Sequence, residues 1–439
     1  MRWLEINKSQ PLKGTIKVPG SKNSSLGLIA ASCLANEPVY LENVPKINDI
    51  KVMTEIGEEI GLVIKSHKGQ LVIDPRKIHS SLISPKKSVE FRTAYYFIGS
   101  LLAKFKKVSV GFPGGDKIGP RPIDQHIKGF RALGAEIEFF NDYYVVQADK
   151  LIGAEIYFDV ITSGATINLM MAAVLATGKT TLHNAARDPE VVDIAIFLNK
   201  MGARIFGAGT DTIRIEGVTS LGGCTHPVIP DRLIAGAYLI GAGVTGGQIT
   251  VTDVIPEHLE SCIEKLTEIG VTVDKSDNSL TAYANGDLRP TKVRAGMYPV
   301  FGSDLQQPFT TLLLNVKGKS QIVDSVFPER FHHCVQLRRM GADINIQKGS
   351  AYINGISSLT GAWVHASDIR AGTCLILAGL IAEKTTFITG VDYIERGYED
   401  IVNDFSSLGA DIRLSSDNLK NSDIKDPYLL NTAAKIYPV

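Results

Sequence analysis

The sequence has no surplus of charge: 46 lysines and arginines face 46 aspartates and glutamates in 439 residues. No global field therefore favours nucleic acid or an anionic membrane surface, and any anion site must be assembled locally. No apolar run reaches about 18 residues, the length of a membrane span. The opening MRWLEINKSQ has neither the basic nor the apolar region of a secretory signal. A cytoplasmic protein with no nucleic-acid or membrane partner is expected. Cysteine is also scarce. Cys33, Cys224, Cys262, Cys334 and Cys374 are scattered, odd in number and include no CxxC pair, so buried reduced thiols are expected and a metal site is not.

What is present is length and apolar content. With 439 residues, 44% of them hydrophobic, the chain exceeds one compact core and predicts two domains of about 200 residues. A helix-end signature, an apolar residue followed by Gly and then Ala or an aliphatic, falls at Gly61, Gly134, Gly202, Gly270, Gly341 and Gly409. The spacings are 73, 68, 68, 71 and 68. Six copies of one unit of about 70 residues follow, longer than a solenoid repeat of about 20 to 50, so each copy is a folding module and three close into a domain. Each unit reads as a helix apolar on nearly every face, such as RAGTCLILAGLIAE at 370–383, then a Thr/Val/Ile-rich strand. An amphipathic helix ending at the glycine and one or two further strands complete it. Helices apolar all round belong inside a domain.

The polar residues gather at the starts of these apolar helices: Lys22 and Asn23, Arg92, Thr162 and Ser163, Asp231 and Arg232, Asp304, and Asp368 with Arg370. A helix start offers free amides and the positive end of the dipole, so it suits phosphate or carboxylate. The aspartates serve equally well as N-caps, whereas Lys and Arg oppose the dipole and need an anionic partner. The loop 113–122, PGGDKIGPRP, surrounds Asp116, Lys117 and Arg121 with glycines and prolines and reads as a lid over an anionic ligand.

Several segments are long enough to be specific: GSKNSS (20–25), NVPKINDI (43–50), PGGDKIGPRPID (113–124), NAARDPEVVD (184–193), IPDRLI (229–234), SDLQQPFTTLLL (303–314), ERFHHCVQLRRMGA (329–342) and RGYEDI (396–401). In this order they resemble the enolpyruvyl (carboxyvinyl) transferases over about residues 5–413. Within that family the lid and the RGYE segment are closer to the branch using UDP-N-acetylglucosamine than to the one using shikimate 3-phosphate. The resemblance implies a two-domain inside-out α/β barrel of the EPSP synthase type. One domain would span 21–229 and carry the lid, the other 1–20 plus 230–416, with 417–439 as a C-terminal extension. It implies enolpyruvyl transfer from phosphoenolpyruvate to a uridine nucleotide sugar with release of phosphate, without a metal or organic cofactor, and says nothing of oligomeric state. By position, Lys22, Asn23, Arg121, Arg330, Arg370 and Arg396 would hold phosphoenolpyruvate. Asp304 would accept or orient the sugar hydroxyl, and Asp116 would supply the proton for the methylene carbon. Asn23, Arg92, Arg121, Pro122, Ile123, Asp124, Thr162, Ser163, Gly164, Asp304 and Val326 would line the nucleotide-sugar site.

The sequence departs from that pattern in places. Asp116 stands where the family most often has cysteine, replacing a thiol of pKa about 8.5 by a carboxyl of about 3.9. Val160 stands for a usual lysine beside the diphosphate, Ile234 for a usual glutamate, and Asp188 for a glutamate. The acceptor is therefore UDP-N-acetylglucosamine or, on a second reading, another nucleotide such as UMP. A third reading is a non-catalytic nucleotide-sugar sensor. The run His332, His333, Cys334 reads as a surface stretch of helix whose side chains diverge, not a metal site.

Overall fold

In the computed structural model every one of the six spaced glycines ends or follows a helix in the left-handed conformation, with φ of 105°, 93°, 108°, 105°, 98° and 94° in chain order. A side chain at these positions is strained, which is why the same residue recurs where each outer helix turns back into a strand. The structure describes residues 1–416 except 91, 113, 115–118, 120, 121, 285, 286 and 357. The lid residues Asp116, Lys117 and Arg121 and the extension 417–439 lie outside the described residues.

Six apolar helices form the interior: α1 (Lys22–Ala31), α2 (Phe97–Phe105), α3 (Ser163–Ala173), α4 (Arg232–Thr245), α5 (Gln306–Leu313) and α6 (Ile369–Ile381). In α6 every residue from Ile369 to Leu380 is buried. Their hydroxyls are tolerated there because they return to the helix: Ser25 Oγ donates to Ser21 O, Thr166 Oγ1 to Thr162 O and Thr310 Oγ1 to Gln306 O, each at 2.8 Å.

Each unit contributes one sheet, and strands such as Gln248–Thr252 bury one face, with Ile249 and Val251 pointing inward. Three sheets gain a strand from elsewhere. Thr225–Pro227 lies parallel to Val39–Glu42, and Lys13–Lys17 lies parallel to Gln248–Thr252. Arg2–Ile6 inserts antiparallel between Thr386–Thr389 and Ile412–Ser416. The buried apolar side chains form two separate clusters, one from Leu26 to Val228, the other from Leu4 to Val18 together with Leu233 to Ile412. The chain passes between them twice, and the two crossings touch: Ser21 N donates to Ile229 O at 2.7 Å and Asp231 N to Pro19 O at 2.9 Å.

Cys33, Cys262, Cys334 and Cys374 are buried and all five thiols are free. Cys224 is only partly buried. The expected surface position of the 332–334 run needs correction. Only His332 is exposed, while His333 and Cys334 are buried. The helix His332–Arg339 turns that face onto α5, where His333 Nε2 meets Thr310 Oγ1 at 3.1 Å. Burial pushes the His333 imidazole down to about 3, so it stays neutral.

Candidate active site

The starts of the inner helices converge on two adjoining cavities. The larger, about 800 Å³, takes its walls from both apolar clusters: Asn23, Arg92, Pro122, Asp124 and Thr162 to Gly164 on one side, Arg232, Tyr298, Asp304 and Val326 on the other. The smaller, about 250 Å³, is lined by Lys22, Asn23, Asp49, Arg92, Thr162, Gly164 and Arg396 among others. Thr162 caps α3, its Oγ1 accepting from Ala165 N at 3.4 Å, so the first amides of that helix open onto both cavities.

Two ionic networks stand at the cavity walls. In the first, Asp49 Oδ2 receives Lys22 Nζ at 3.0 Å and its Oδ1 receives Arg396 Nε at 2.7 Å. Asp49 is 1% exposed. Burial alone pushes its carboxyl up, but Lys22 and Arg396 together outweigh this and hold it below the ordinary value. In the second, Arg330 bonds Asp304 through Nη1 and approaches Asp368 through Nη2 at 3.4 Å, while Arg370 Nε lies 3.5 Å from the other Asp304 oxygen. Burial opposes ionisation of Asp304, yet Arg330 and Arg370 hold it well below the carboxylate range. Arg330 Nε and Arg370 Nη1 are buried donors without a partner among the described residues, a poor state for a guanidinium unless an anion completes it.

The aspartates at helix starts divide by geometry. Asp231 caps α4 by accepting from Leu233 N and Ile234 N, and also receives Lys22 N at 3.0 Å. Asp368 caps α6 through Arg370 N and Ala371 N. Asp304, in the short turn Ser303–Leu305 before α5, caps nothing and lines the large cavity. Of the three carboxylates it alone accepts from no helix amide, its oxygens meeting Arg330 and Arg370 instead.

A third contact closes the seam between the clusters. Arg232 reaches Asp188 at 3.5 Å and Glu190 at 3.3 Å, and its guanidinium lies 5.2 Å from the centre of the Tyr298 ring. Burial raises the Glu190 carboxyl, Arg232 pulls it back, and Asp188 raises it again. Asp188 is held from its other side by Ser163 Oγ at 2.9 Å.

Of the residues named from the sequence, Lys22, Asn23, Arg92, Pro122, Asp124, Thr162, Ser163, Gly164, Asp304, Val326 and Arg396 line one or both cavities. Arg330 and Arg370 are buried behind Asp304. Ile123, between the lining residues Pro122 and Asp124, is half-buried and packs against the first apolar cluster. Ile234 is also in a core, 3% exposed, and Arg232 takes its acids from across the seam instead. Val160 is 57% exposed on the cavity wall. Asp116 and Arg121 fall outside the described residues. Asp49 was not singled out from the sequence, since an acid in the first turn of an amphipathic helix is ordinary dipole matching. Among the described residues no three His, Cys, Asp or Glu side chains gather as a metal site.

Residues 6–405 match the EPSP synthase (3-phosphoshikimate 1-carboxyvinyltransferase) family. The UDP-N-acetylglucosamine 1-carboxyvinyltransferase 2 of Bacillus cereus is 47% identical over 413 residues, covering 94% of this chain and 96% of that one. Its Bacillus subtilis counterpart is 45% identical over the same length and shares. Among solved structures, the enolpyruvyl transferase NikO from Streptomyces tendae superposes with a TM-score of 0.86 at 23% identity, covering 95% and 99% of the two chains. EPSP synthase from Acinetobacter baumannii gives 0.74 at 17%, covering 95% and 100%. The two structural likenesses speak to the fold, six sheets around buried helices, while the family match and the sequence identities carry the assignment: the chain belongs to the EPSP synthase family of enolpyruvyl (carboxyvinyl) transferases.

Proposed function

We propose that the protein transfers the enolpyruvyl group of phosphoenolpyruvate to the 3′-hydroxyl of UDP-N-acetylglucosamine and releases phosphate. Its setting is cell-wall precursor synthesis in the cytoplasm. The observation that carries this reading is the large cavity, in which Asn23, Arg92, Pro122, Asp124, Thr162 to Gly164, Asp304 and Val326 meet from both clusters. The names of relatives 45–47% identical along the chain support the choice of acceptor. The two clusters also support a domain division at 21–229 and 1–20 plus 230–416.

The chemistry requires cations for a phosphate and a carboxylate, a base for the hydroxyl and an acid for the methylene carbon. Lys22, Arg121 and Arg396 hold phosphoenolpyruvate, with Arg330 and Arg370 behind. The acceptor oxygen bonds to C2 as its proton passes toward Asp304, and Asp116 protonates C3, giving a tetrahedral ketal. Loss of a C3 proton then restores the double bond as the C2–O bond to phosphate breaks. Asp304 is a weak base while both arginines face it. An arriving phosphate that draws on Arg330 and Arg370 frees its lone pairs for the hydroxyl. No metal or cofactor enters this reading.

Val160 favours a second reading. Among the described residues lining the large cavity the only cations are Arg92 and Arg232, fewer than a diphosphate usually meets, so an acceptor with one phosphate such as UMP is the alternative. Phosphate release from phosphoenolpyruvate with UDP-N-acetylglucosamine, UDP-glucose and UMP decides between them. Preference for UMP overturns the first reading, and no release with any acceptor favours a sensor.

A further inference from the structure

The NAARDPEVVD segment runs into the helix Pro189–Lys200, and this helix touches the starts of three inner helices. Its N-cap Asp188 takes Ser163 of α3 and, with Glu190, Arg232 of α4. One turn on, Asp193 reaches α1. Ser24 Oγ donates to Asp193 Oδ2, and His226 Nε2 lies 2.8 Å from Asp193 Oδ1. All three side chains are buried, at 0%, 2% and 3% exposure for Ser24, Asp193 and His226. A carboxylate only accepts, so His226 carries its proton on Nε2, and its Nδ1 has no partner among the described residues. The ring edge stands on Phe197, centroids 5.4 Å apart.

A polar triad of this kind in an apolar interior is costly to assemble and adds less stability than a packed apolar substitute. Its position is the informative part. Ser24 shares the first turn of α1 with Lys22 and Asn23, which face the cavities while Ser24 faces away. The same turn is held by Ser21 Oγ on Ser24 N at 3.3 Å and by Asp231 on Lys22 N.

We infer that Asp193 is a positioning residue for phosphoenolpyruvate: braced by His226, it grips Ser24 and so sets where α1 presents Lys22 and Asn23. Small displacements of a charged contact cost rate out of proportion to their size. The inference rests on the assignment of Lys22 to phosphoenolpyruvate.

The test compares wild type, Ser24→Ala and Asp193→Asn in the full chain. Phosphate release gives kcat and KM for each substrate, hydrogen exchange follows the amides of residues 21–28, and thermal melting follows the fold. Ser24→Ala keeps a good helix former and removes one hydroxyl. The expected result is a fall of about tenfold in kcat/KM for phosphoenolpyruvate. Acceptor KM should change less than about twofold, exchange over 21–28 should quicken, and Tm should move by only about 3 °C. Unchanged phosphoenolpyruvate kinetics in the folded Ser24→Ala protein overturn the inference, as does an equal loss for both substrates that tracks Tm. A wild type inactive with every acceptor defeats the functional reading instead. Exchange then still decides the inference, since unaltered protection of 21–28 in Ser24→Ala overturns it.

Discussion

Arg396 Nε donates to Asp49 Oδ1 at 2.7 Å across 347 residues of sequence, and the carboxylate that receives it also holds Lys22. Two cations assigned to one substrate thus share one buried anion, and neighbouring backbone contacts lock the same seam: Lys46 N meets Glu399 Oε1 at 2.8 Å and Asn48 N meets Glu395 O at 3.2 Å.

Asp49→Asn leaves Lys22 and Arg396 facing each other without a counter-charge. A loss of about 2–3 kcal/mol is expected, with a KM for phosphoenolpyruvate raised roughly tenfold. Because the folded Asp49 carboxyl lies below its ordinary value, its contribution is complete above the unfolded value of about 4 and disappears as pH falls through the folded one. Urea unfolding between pH 3 and 7 should therefore show a shallower acid decline in the variant than in wild type.

The Asp304 carboxylate stays ionised through the working range because Arg330 and Arg370 outweigh its burial. Asp304→Asn should lower kcat by about 10²- to 10³-fold, and the wild-type kcat/KM–pH profile, which reports the free enzyme, should show no limb from this group between about pH 5 and 9. An asparagine variant with near-normal kcat would remove Asp304 from the mechanism.

Removing Arg232 strands Asp188 and Glu190 at the seam. Glu190 already has a raised carboxyl, and a group raised in the folded state binds its proton more tightly there, so stability falls as pH rises. Arg232→Met should cost about 3 kcal/mol at pH 8 and distinctly less at pH 5. Melting curves at the two values check the sign.

Val160→Lys adds a cation to an exposed point of the cavity wall. It should lower KM for UDP-N-acetylglucosamine by about three- to tenfold and change that for UMP less. Equal effects on both acceptors would argue against a diphosphate beside residue 160.

Asp116→Asn should abolish turnover while leaving acceptor binding intact, and the wild-type protein should resist fosfomycin, an epoxide that alkylates a lid thiol which this chain lacks. Rapid time-dependent inactivation would contradict the second expectation; an active asparagine variant, the first.

Much of the architecture was legible. The six glycines could be read from their spacing because the left-handed turn after a helix strongly favours one residue type. The inner helices could be read because a helix apolar on every face has one place to go. Lys22, Arg92 and Arg370 stood out as cations against the helix dipole. Asp49 and Asp193 did not, since acids near a helix start or one turn in are ordinary. His333 and Cys334 were misread because a side chain's direction depends on how its helix is rotated against neighbours, which local sequence does not specify.

The sequence by itself determined the sixfold unit, the buried helices and the chemical types at their starts, all of which follow from periodicity, propensity and the hydrophobic effect acting within about 70 residues. Only the tertiary structure decided which of those groups meet. Asp49 lies between Lys22 and Arg396, Asp188 and Glu190 face Arg232, and Asp193 grips Ser24. The Arg396 and Arg232 contacts span two separately packed cores while Asp193 and Ser24 meet inside one, and in both cases the contact depends on how distant segments close on each other rather than on any local preference.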